Sequence, residues 1–335
     1  MIWRDIRDLR IEGQGWTDTK APFDRLPARA EGVVRDVVWD LSRHSAGLCV
    51  KFRTDATEIH GRWTLTLDRL AMGHMPATGC SGLDLYIDTA SGLRWAGVGR
   101  PESLPDVQDV LVEGMADGEK SCTVYLPLYN GVSSVEIGVP EGTSIESVER
   151  PLGRRTVLFY GTSITQGASA SRTGTNHVAK VGRALDCETI NLGFSGNGVM
   201  EPEVAGFLAE LNPDIFVIDC LPNMTADLVT ERTASLVMAL REKRPDTPVL
   251  LVEDRMYGDS VFVHSRREQN ESNRRALREV FAGLEANGVR NVHYLEGATL
   301  LGEDGDDTVD GSHPTDLGFK RQADRFIDVI SKVLG

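Results

Sequence analysis

The stretch Val157-Leu158-Phe159-Tyr160-Gly161-Thr162-Ser163-Ile164-Thr165-Gln166-Gly167 decides how the second half of the chain is read. A short apolar run stops at Gly161, and three hydroxyl residues follow within four positions, so a strand is expected to end in a polar turn. Further along, Thr189 to Leu192, Ile215 to Cys220, Val249 to Val252 and Val292 to Leu295 repeat the apolar run. Helical patterns lie between them, the clearest being Ala276, Leu277, Val280, Phe281 and Leu284 at 3.6-residue spacing, stopped by Gly288. Strands alternating with helices predict a mostly parallel sheet covered on both faces, with ligands beyond the carboxyl ends of its strands. Residues directly after strands are therefore the candidates for function.

Upstream the texture differs. From Gly47 to about Glu149, short alternating runs are separated by glycine, proline and acidic turns: Leu48 to Arg53, Glu58 to Thr66, Gly82 to Ile87, Leu93 to Val98, Ser121 to Leu126 and Val132 to Val139. The turns leave no room for crossover helices, so these strands are expected to be antiparallel and to close as a β-sandwich of jelly-roll type. With Ser147 to Arg154 as the junction, the chain divides into a sandwich domain, 1–150, and an α/β domain, 151–335. Pro140 to Thr156 holds no long polar tether, which favours a fixed interface in which the sandwich walls a shared cleft.

A chain of 335 residues suits two domains, and 41% hydrophobic with 26% charged residues is the composition of a folded globular protein. The net charge of −14 opposes polyphosphate partners, so no nucleic-acid partner is expected. No apolar run approaches a membrane span and the first residues lack the apolar stretch of a secretory signal, so no membrane partner and a cytoplasmic location are expected. Cys49, Cys80, Cys122, Cys187 and Cys220 include no C-x-x-C pair and read as reduced, mostly buried thiols.

Four segments carry chemistry. Ser163, at a strand-to-helix turn, can present its hydroxyl to solvent and its N–H to an oxyanion, although a serine there is more often a helix cap. The segment is not a G-x-S-x-G elbow, because Thr165 stands where the second glycine belongs. Asn191 to Gly198 is glycine-rich without the fingerprint of a nucleotide loop, so its N–H groups can approach a ligand closely. Asn223, after Ile215 to Ile218, offers an uncharged amide donor or serves as ordinary turn chemistry beside Pro222. In Asp310-Gly311-Ser312-His313, an aspartate three residues before a histidine can fix its tautomer and leave the other ring nitrogen free as a base.

Taken together, Gly161-Thr162-Ser163-Ile164, Ser195-Gly196, Leu221-Pro222-Asn223 and Asp310 to His313 resemble, in order, the four blocks of the SGNH hydrolase superfamily, the GDSL esterases and lipases. The resemblance covers about 153 to 335. It implies a flavodoxin-like fold, Ser163 as nucleophile, His313 as base, Asp310 as its orienter, and the N–H groups of Ser163 and Gly196 with the Asn223 amide as an oxyanion hole. Leu221 and Met224 replace the glycine and aspartate of the family's asparagine block, and Thr162 replaces the aspartate of its name motif. Gly82-Leu83-Asp84-Leu85-Tyr86 resembles the glycine-x-Asp-Leu-Tyr motif of one branch that carries an N-terminal sandwich.

Other features compete for attention. Counting an EF-hand frame from Asp304 puts Val309 at the glycine position and Thr315 at the bidentate glutamate, so Glu303 to Asp307 reads as a solvated loop. No metal and no cofactor are expected. Glu253 and Arg255, after the fourth apolar run, are candidates to orient a polar substrate or to form a structural ion pair. His74 and Trp63 read as packing or surface residues. The leading expectation is a serine esterase acting on a short acyl ester, an acetylated carbohydrate above all, with a small-molecule or oligosaccharide ester as partner. A lysophospholipase or thioesterase, and a sugar-binding protein with a dead hydrolase half, are the alternatives.

Overall fold

Ten short strands precede Pro151 in the computed structural model, which describes residues 1–335. They are β1 (Ile2–Asp5), β2 (Arg10–Glu12), β3 (Cys49–Thr54), β4 (Ile59–Leu65), β5 (Leu83–Ile87), β6 (Arg94–Gly99), β7 (Asp106–Val112), β8 (Lys120–Tyr125), β9 (Val132–Val139) and β10 (Glu146–Ser147). One sheet runs β1-β9-β4-β7 and the other β10-β3-β8-β5-β6, with β2 pairing β3. Every pairing is antiparallel. Side chains alternate across each strand, so along β4 Ile59, Gly61, Trp63 and Leu65 are buried while His60, Arg62 and Thr64 are partly exposed. Phe52, Leu85 and Val124 of one sheet meet Trp63 and Ile137 of the other in the sandwich core.

After Pro151 come β11 (Thr156–Gly161), β12 (Glu188–Gly193), β13 (Ile215–Asp219), β14 (Val249–Val252) and β15 (Val292–Leu295), all parallel, in the order β12-β11-β13-β14-β15. This is the flavodoxin-like order, and it reverses direction at β11, where ligands of such sheets bind. The helices in chain order are α1 (Asp36–Ser42), α2 (Ala77–Cys80), α3 (Ser163–Gln166), α4 (His177–Ala184), α5 (Pro202–Glu210), α6 (Ala226–Lys243), α7 (His264–Ala286) and α8 (Asp316–Leu334). Successive side chains of β11 serve opposite layers: Val157 and Phe159 pack with α4 and α8, and Leu158 and Tyr160 pack with α5, α6 and α7.

Strand β7 and the edge strand β1 lie outside the runs read from the sequence, as does the whole segment between β2 and β3. That segment has an unexpected place. Trp16, Leu26, Ala30, Val34, Val38 and Trp39 are buried in the α/β layer beside Phe194, Phe207 and Leu208, and the Trp16 indole donates to Glu210 at 2.9 Å. Fully burying side chains of this size contributes about 1.5–3 kcal/mol each, so the α/β core is completed by residues from between two strands of the sandwich.

The glycine-x-Asp-Leu-Tyr stretch joins the two halves from the other side. Asp84 of β5 has no exposure, accepts from Arg172 at 2.8 and 3.0 Å and from the Gly174 N–H at 2.9 Å, and receives the Trp95 indole at 3.0 Å. Burial pushes this carboxyl up, and Arg172 and the Gly174 N–H pull it back. Asp84→Ala would leave Arg172 and an N–H unmet, so thermal or denaturant unfolding is expected to show a loss of about 3–5 kcal/mol. A loss below about 1 kcal/mol, the range of an exposed pair, would mean that the carboxylate does not hold the halves together.

Candidate active site

The turn after β11 is held from several sides. Thr162 caps α3, its hydroxyl accepting from the Ile164 N–H, and the single turn of α3 is buried throughout. Ser163 is thereby fixed at the carboxyl end of the central strand with 7% exposure. Its Oγ lies 2.8 Å from His313 Nε2, and His313 Nδ1 lies 2.7 Å from Asp310 Oδ2. Asp310 Oδ1 also accepts from the backbone N–H groups of His313 and Ser312, at 2.8 and 3.0 Å. Burial pushes the Asp310 carboxyl up, but the hydrogen bonds from the His313 ring and these two N–H groups outweigh it and hold it down to about 2. The carboxylate is therefore charged at any ordinary pH and fixes Nδ1 as the protonated nitrogen, leaving Nε2 to accept from Ser163.

The glycine segment follows β12. Gly196 has φ +69°, a left-handed conformation that costs a glycine little, and its N–H meets no acceptor within the protein. A Cβ on Gly198 would come within 2.0 Å of the Gly161 carbonyl oxygen, so the loop lies directly on the end of β11. Asn223, after β13, accepts from the Gly198 N–H through Oδ1 at 3.4 Å, which leaves its Nδ2 free to donate elsewhere. The structure thus brings Ser163, His313, Asp310, Gly196 and Asn223 together from the ends of three strands and the entry to the last helix.

Several residues that frame this arrangement are not among the candidates read from the sequence. Gln166, without exposure, donates from Nε2 to His44 Nδ1 at 2.9 Å and to the Leu128 carbonyl at 3.0 Å, while Oε1 accepts from the Ser195 N–H at 3.1 Å. Arg25, 2% exposed, donates to the carbonyls of Asn191, Gly193, His44 and Leu41 and lies over the Phe194 ring. Desolvation pulls its guanidinium down to about 9. Tyr129, from the sandwich, donates to the Ser163 carbonyl at 3.2 Å. Gln166 stands inside the quoted stretch, and its sign is a long polar side chain in a turn with no water to meet it; Arg25 and Tyr129 meet the site only through pairings more than 30 residues apart in sequence.

The structure decides between the readings of Glu253, Arg255 and His74. Glu253 and Arg255 are not exposed to a substrate, because both side chains turn into the packing between β13, β15 and α7. Glu253, with no exposure, binds Tyr294 Oη at 2.7 Å, the Gly297 N–H at 2.9 Å and Arg278 at 2.7 Å. Arg255, 2% exposed, forms a bidentate pair with Asp219 at 2.7 and 2.9 Å. His74 is the opposite case: its ring centroid lies 5.1 Å from that of His313 at an interplanar angle of 35°. Trp63 is ordinary core, its indole bound to the Ser81 carbonyl. The acidic loop is exposed from Glu303 to Asp306, as a solvated loop should be, and Asp304 and Asp307 both bind Arg321 of α8. No group of three His, Cys, Asp or Glu side chains converges to hold a metal ion, no helix is long and apolar enough to cross a membrane, and all five cysteines are buried and unpaired.

With this geometry in view, the chain matches the GDSL-like lipase/acylhydrolase family over residues 154–331 and the N-terminus of the SGNH hydrolase-type esterases over residues 1–145. No curated protein sequence matches it. Among solved structures it is similar to a protein from Bacteroides ovatus described as a GDSL-like lipase, at 36% identity and a TM-score of 0.95, covering 99% of this chain and 98% of that one. A salicylyl-acyltransferase from a tetracycline biosynthetic pathway shares the fold at 19% identity and a TM-score of 0.76, covering 97% and 95%. A family two carbohydrate esterase from Clostridium thermocellum, solved with cellohexaose, shares it at 15% identity and a TM-score of 0.59, covering 87% and 93%.

The helix that follows His313 is anchored by a histidine. His177, the first residue of α4, is fully buried, and its ring stacks on Phe319 and Phe326 of α8 at 5.7 and 5.3 Å. Desolvation, with the Arg255 charge nearby, pulls it from the ordinary 6.5 to about 3. The unfolded chain therefore takes up this proton first, so the contribution of His177 is complete above about pH 6.5 and is lost as the pH falls toward 3. His177→Leu cannot take up that proton. Between pH 6 and 4 the wild type is expected to lose stability relative to the variant by up to about 1.4 kcal/mol per pH unit, read by denaturant melts at each pH. Parallel curves for the two proteins would show that His177 is not held neutral.

Proposed function

The chain belongs to the GDSL-like lipase/acylhydrolase family, and we propose that it is a serine esterase that removes a short acyl group, acetyl above all, from a carbohydrate hydroxyl. One observation carries the reading: a histidine Nε2 2.8 Å from a serine hydroxyl, with the opposite ring nitrogen 2.7 Å from a carboxylate that stays ionised. That arrangement makes a hydroxyl into a nucleophile.

In the proposed reaction, Ser163 Oγ attacks the ester carbonyl carbon while its proton passes to His313 Nε2. The carbonyl oxygen takes the charge and is met by the N–H groups of Ser163 and Gly196 and by Asn223 Nδ2. As the bond between carbonyl carbon and alkoxy oxygen breaks, Nε2 returns the proton to the departing alcohol. Water then attacks the acyl-serine, gives its proton to Nε2, and Ser163 leaves with that proton. Asp310 holds the imidazole in one tautomer and balances its charge while it is protonated. No step calls for a metal or a cofactor. The carbohydrate alcohol takes its support from the polar strand ends around Ser163 and from the shared fold with family two carbohydrate esterases.

Ser163→Ala is expected to abolish release of acetate from acetylated sugars and from aryl acetates, with the far-ultraviolet spectrum unchanged; turnover near the wild-type rate would remove Ser163 from its role. The wild type is expected to prefer acetyl to octanoyl esters, and the reverse order would favour a lysophospholipase. Asp310→Asn should lower kcat by about 10⁴, because tautomer and charge balance are lost together. Asn223→Ala should lower it by about 10²–10³, since two oxyanion donors remain. If Asn223→Ala proves the more damaging, Asp310 is a spectator.

A further inference from the structure

The sandwich reaches the site at a point that the reaction above does not use. Met72 and Met75 pair backbone to backbone at 2.9 and 3.0 Å, closing a tight turn with His74 at its tip. Met75 is 2% exposed and packs in one cluster with Ile164, Ala168 and Phe319, residues that follow the Ser163 turn or lie on α8. The turn is therefore seated on the elements that carry Ser163 and His313, and its tip is placed rather than free. From there His74 lays its ring against His313, 5.1 Å between centroids.

Both nitrogens of His313 are engaged, Nε2 with Ser163 and Nδ1 with Asp310. His74 meets that ring from outside the proton path. Its own two nitrogens hydrogen-bond to no protein group, although the side chain is partly buried. A neutral imidazole offers one donor and one acceptor, the pair that a hydroxyl group complements. Direction adds the rest. The alcohol takes its proton from His313 Nε2 and so departs on the His313 side of Ser163, away from Gly196 and Asn223, which face the carbonyl oxygen. An imidazole in contact with His313 and free at both nitrogens stands beside the departing alcohol.

We propose that His74 forms the subsite for the alcohol part of the ester, hydrogen-bonding a hydroxyl next to the ester oxygen. The inference rests on the esterase reading and deepens it: the sandwich supplies a substrate contact as well as a wall. Recognition through a hydrogen bond discriminates against alcohols that lack the group, because the polar side chain is then left without its partner.

The test compares 4-nitrophenyl acetate, whose leaving group carries no neighbouring hydroxyl, with a monoacetylated sugar that does. His74→Ala in the full chain is expected to lose about 10- to 100-fold in kcat/KM on the sugar ester, mostly in KM, and to stay within about three-fold on the aryl ester. His74→Asn, which keeps a donor and an acceptor, should recover part of the loss, and His74→Phe, which keeps only the ring contact, should not. An equal loss on both esters would mean that His74 only steadies His313, and no loss on either would make it a bystander; each overturns the subsite. A second measurement needs no turnover. In Ser163→Ala, the imidazole NMR signal of His74, assigned by its disappearance in the double variant with His74→Ala, should shift saturably as the acetylated sugar is added, and an unmoved signal overturns the proposal. If the wild type hydrolysed neither ester, the esterase reading would fall while this titration still decided the place of His74.

Discussion

The Asp84 carboxylate is a charge with no water around it, and the way it is met organises the molecule. Arg172 and the Gly174 N–H approach it from the α/β half, so the loop between α3 and α4 is pinned to a sandwich strand. The same loop reaches onward: Ser171 and Thr175 both bind Asp316, the first residue of α8. Two residues before the cap of that helix stands His313. A buried ion pair adds little net stability over an apolar replacement, but breaking it is costly, and it tolerates few geometries. Here the tolerated geometry runs through two sets of polar contacts, and then along the chain, from a sandwich strand to the imidazole beside Ser163.

A second set of polar contacts acts on the backbone of the glycine segment. Arg25 collects the carbonyls at the end of β12, Gln166 holds the Ser195 N–H, and Tyr129 holds the Ser163 carbonyl. Each of these groups satisfies a buried backbone atom that would otherwise be orphaned. The backbone that leads to the Gly196 N–H, the proposed oxyanion donor, is thereby held by partners from outside its own loop. Donors fixed in advance need no reorganisation when charge develops on an oxygen, which is why such rigidity favours chemistry at that position. Residues upstream of β3, within the sandwich and within the α/β half all contribute, so the division at about residue 150 describes the sheets better than it describes the site.

How much of this was legible depends on the range of the interaction that made it. The five parallel strands announced themselves because burial on both faces leaves continuous apolar runs, and the paired spacing of Asp310 and His313 is local to one turn. Edge strand β1 was hidden because one of its long sides lacks a partner and its residues are mostly exposed. In β7 only Val107 and Leu111 are buried, too few to raise a polar stretch above the turns around it. Glu253 and Arg255 stand at the correct level of the sheet, but level does not set direction, and their partners Tyr294, Arg278 and Asp219 come from other strands and helices. His74 fails in the opposite sense: a glycine-flanked turn in the sandwich has no periodicity that points to a residue 239 positions away (313 − 74).

The placement of Trp16 to Trp39 in the α/β core also has a history in the making of the chain. This segment leaves the ribosome well before the surfaces that bury it, since Phe194, Phe207 and Leu208 emerge about 170 residues later, at ordinary rates roughly ten to thirty seconds afterwards. Until then two tryptophans and several branched aliphatic residues lack the surfaces that bury them. Residues made early are thus among the last to be buried, and the search that unites the two surfaces closes loops long enough to slow folding. The interval during which those residues face solvent is when the nascent protein is most exposed to association with its own copies and most in need of a chaperone.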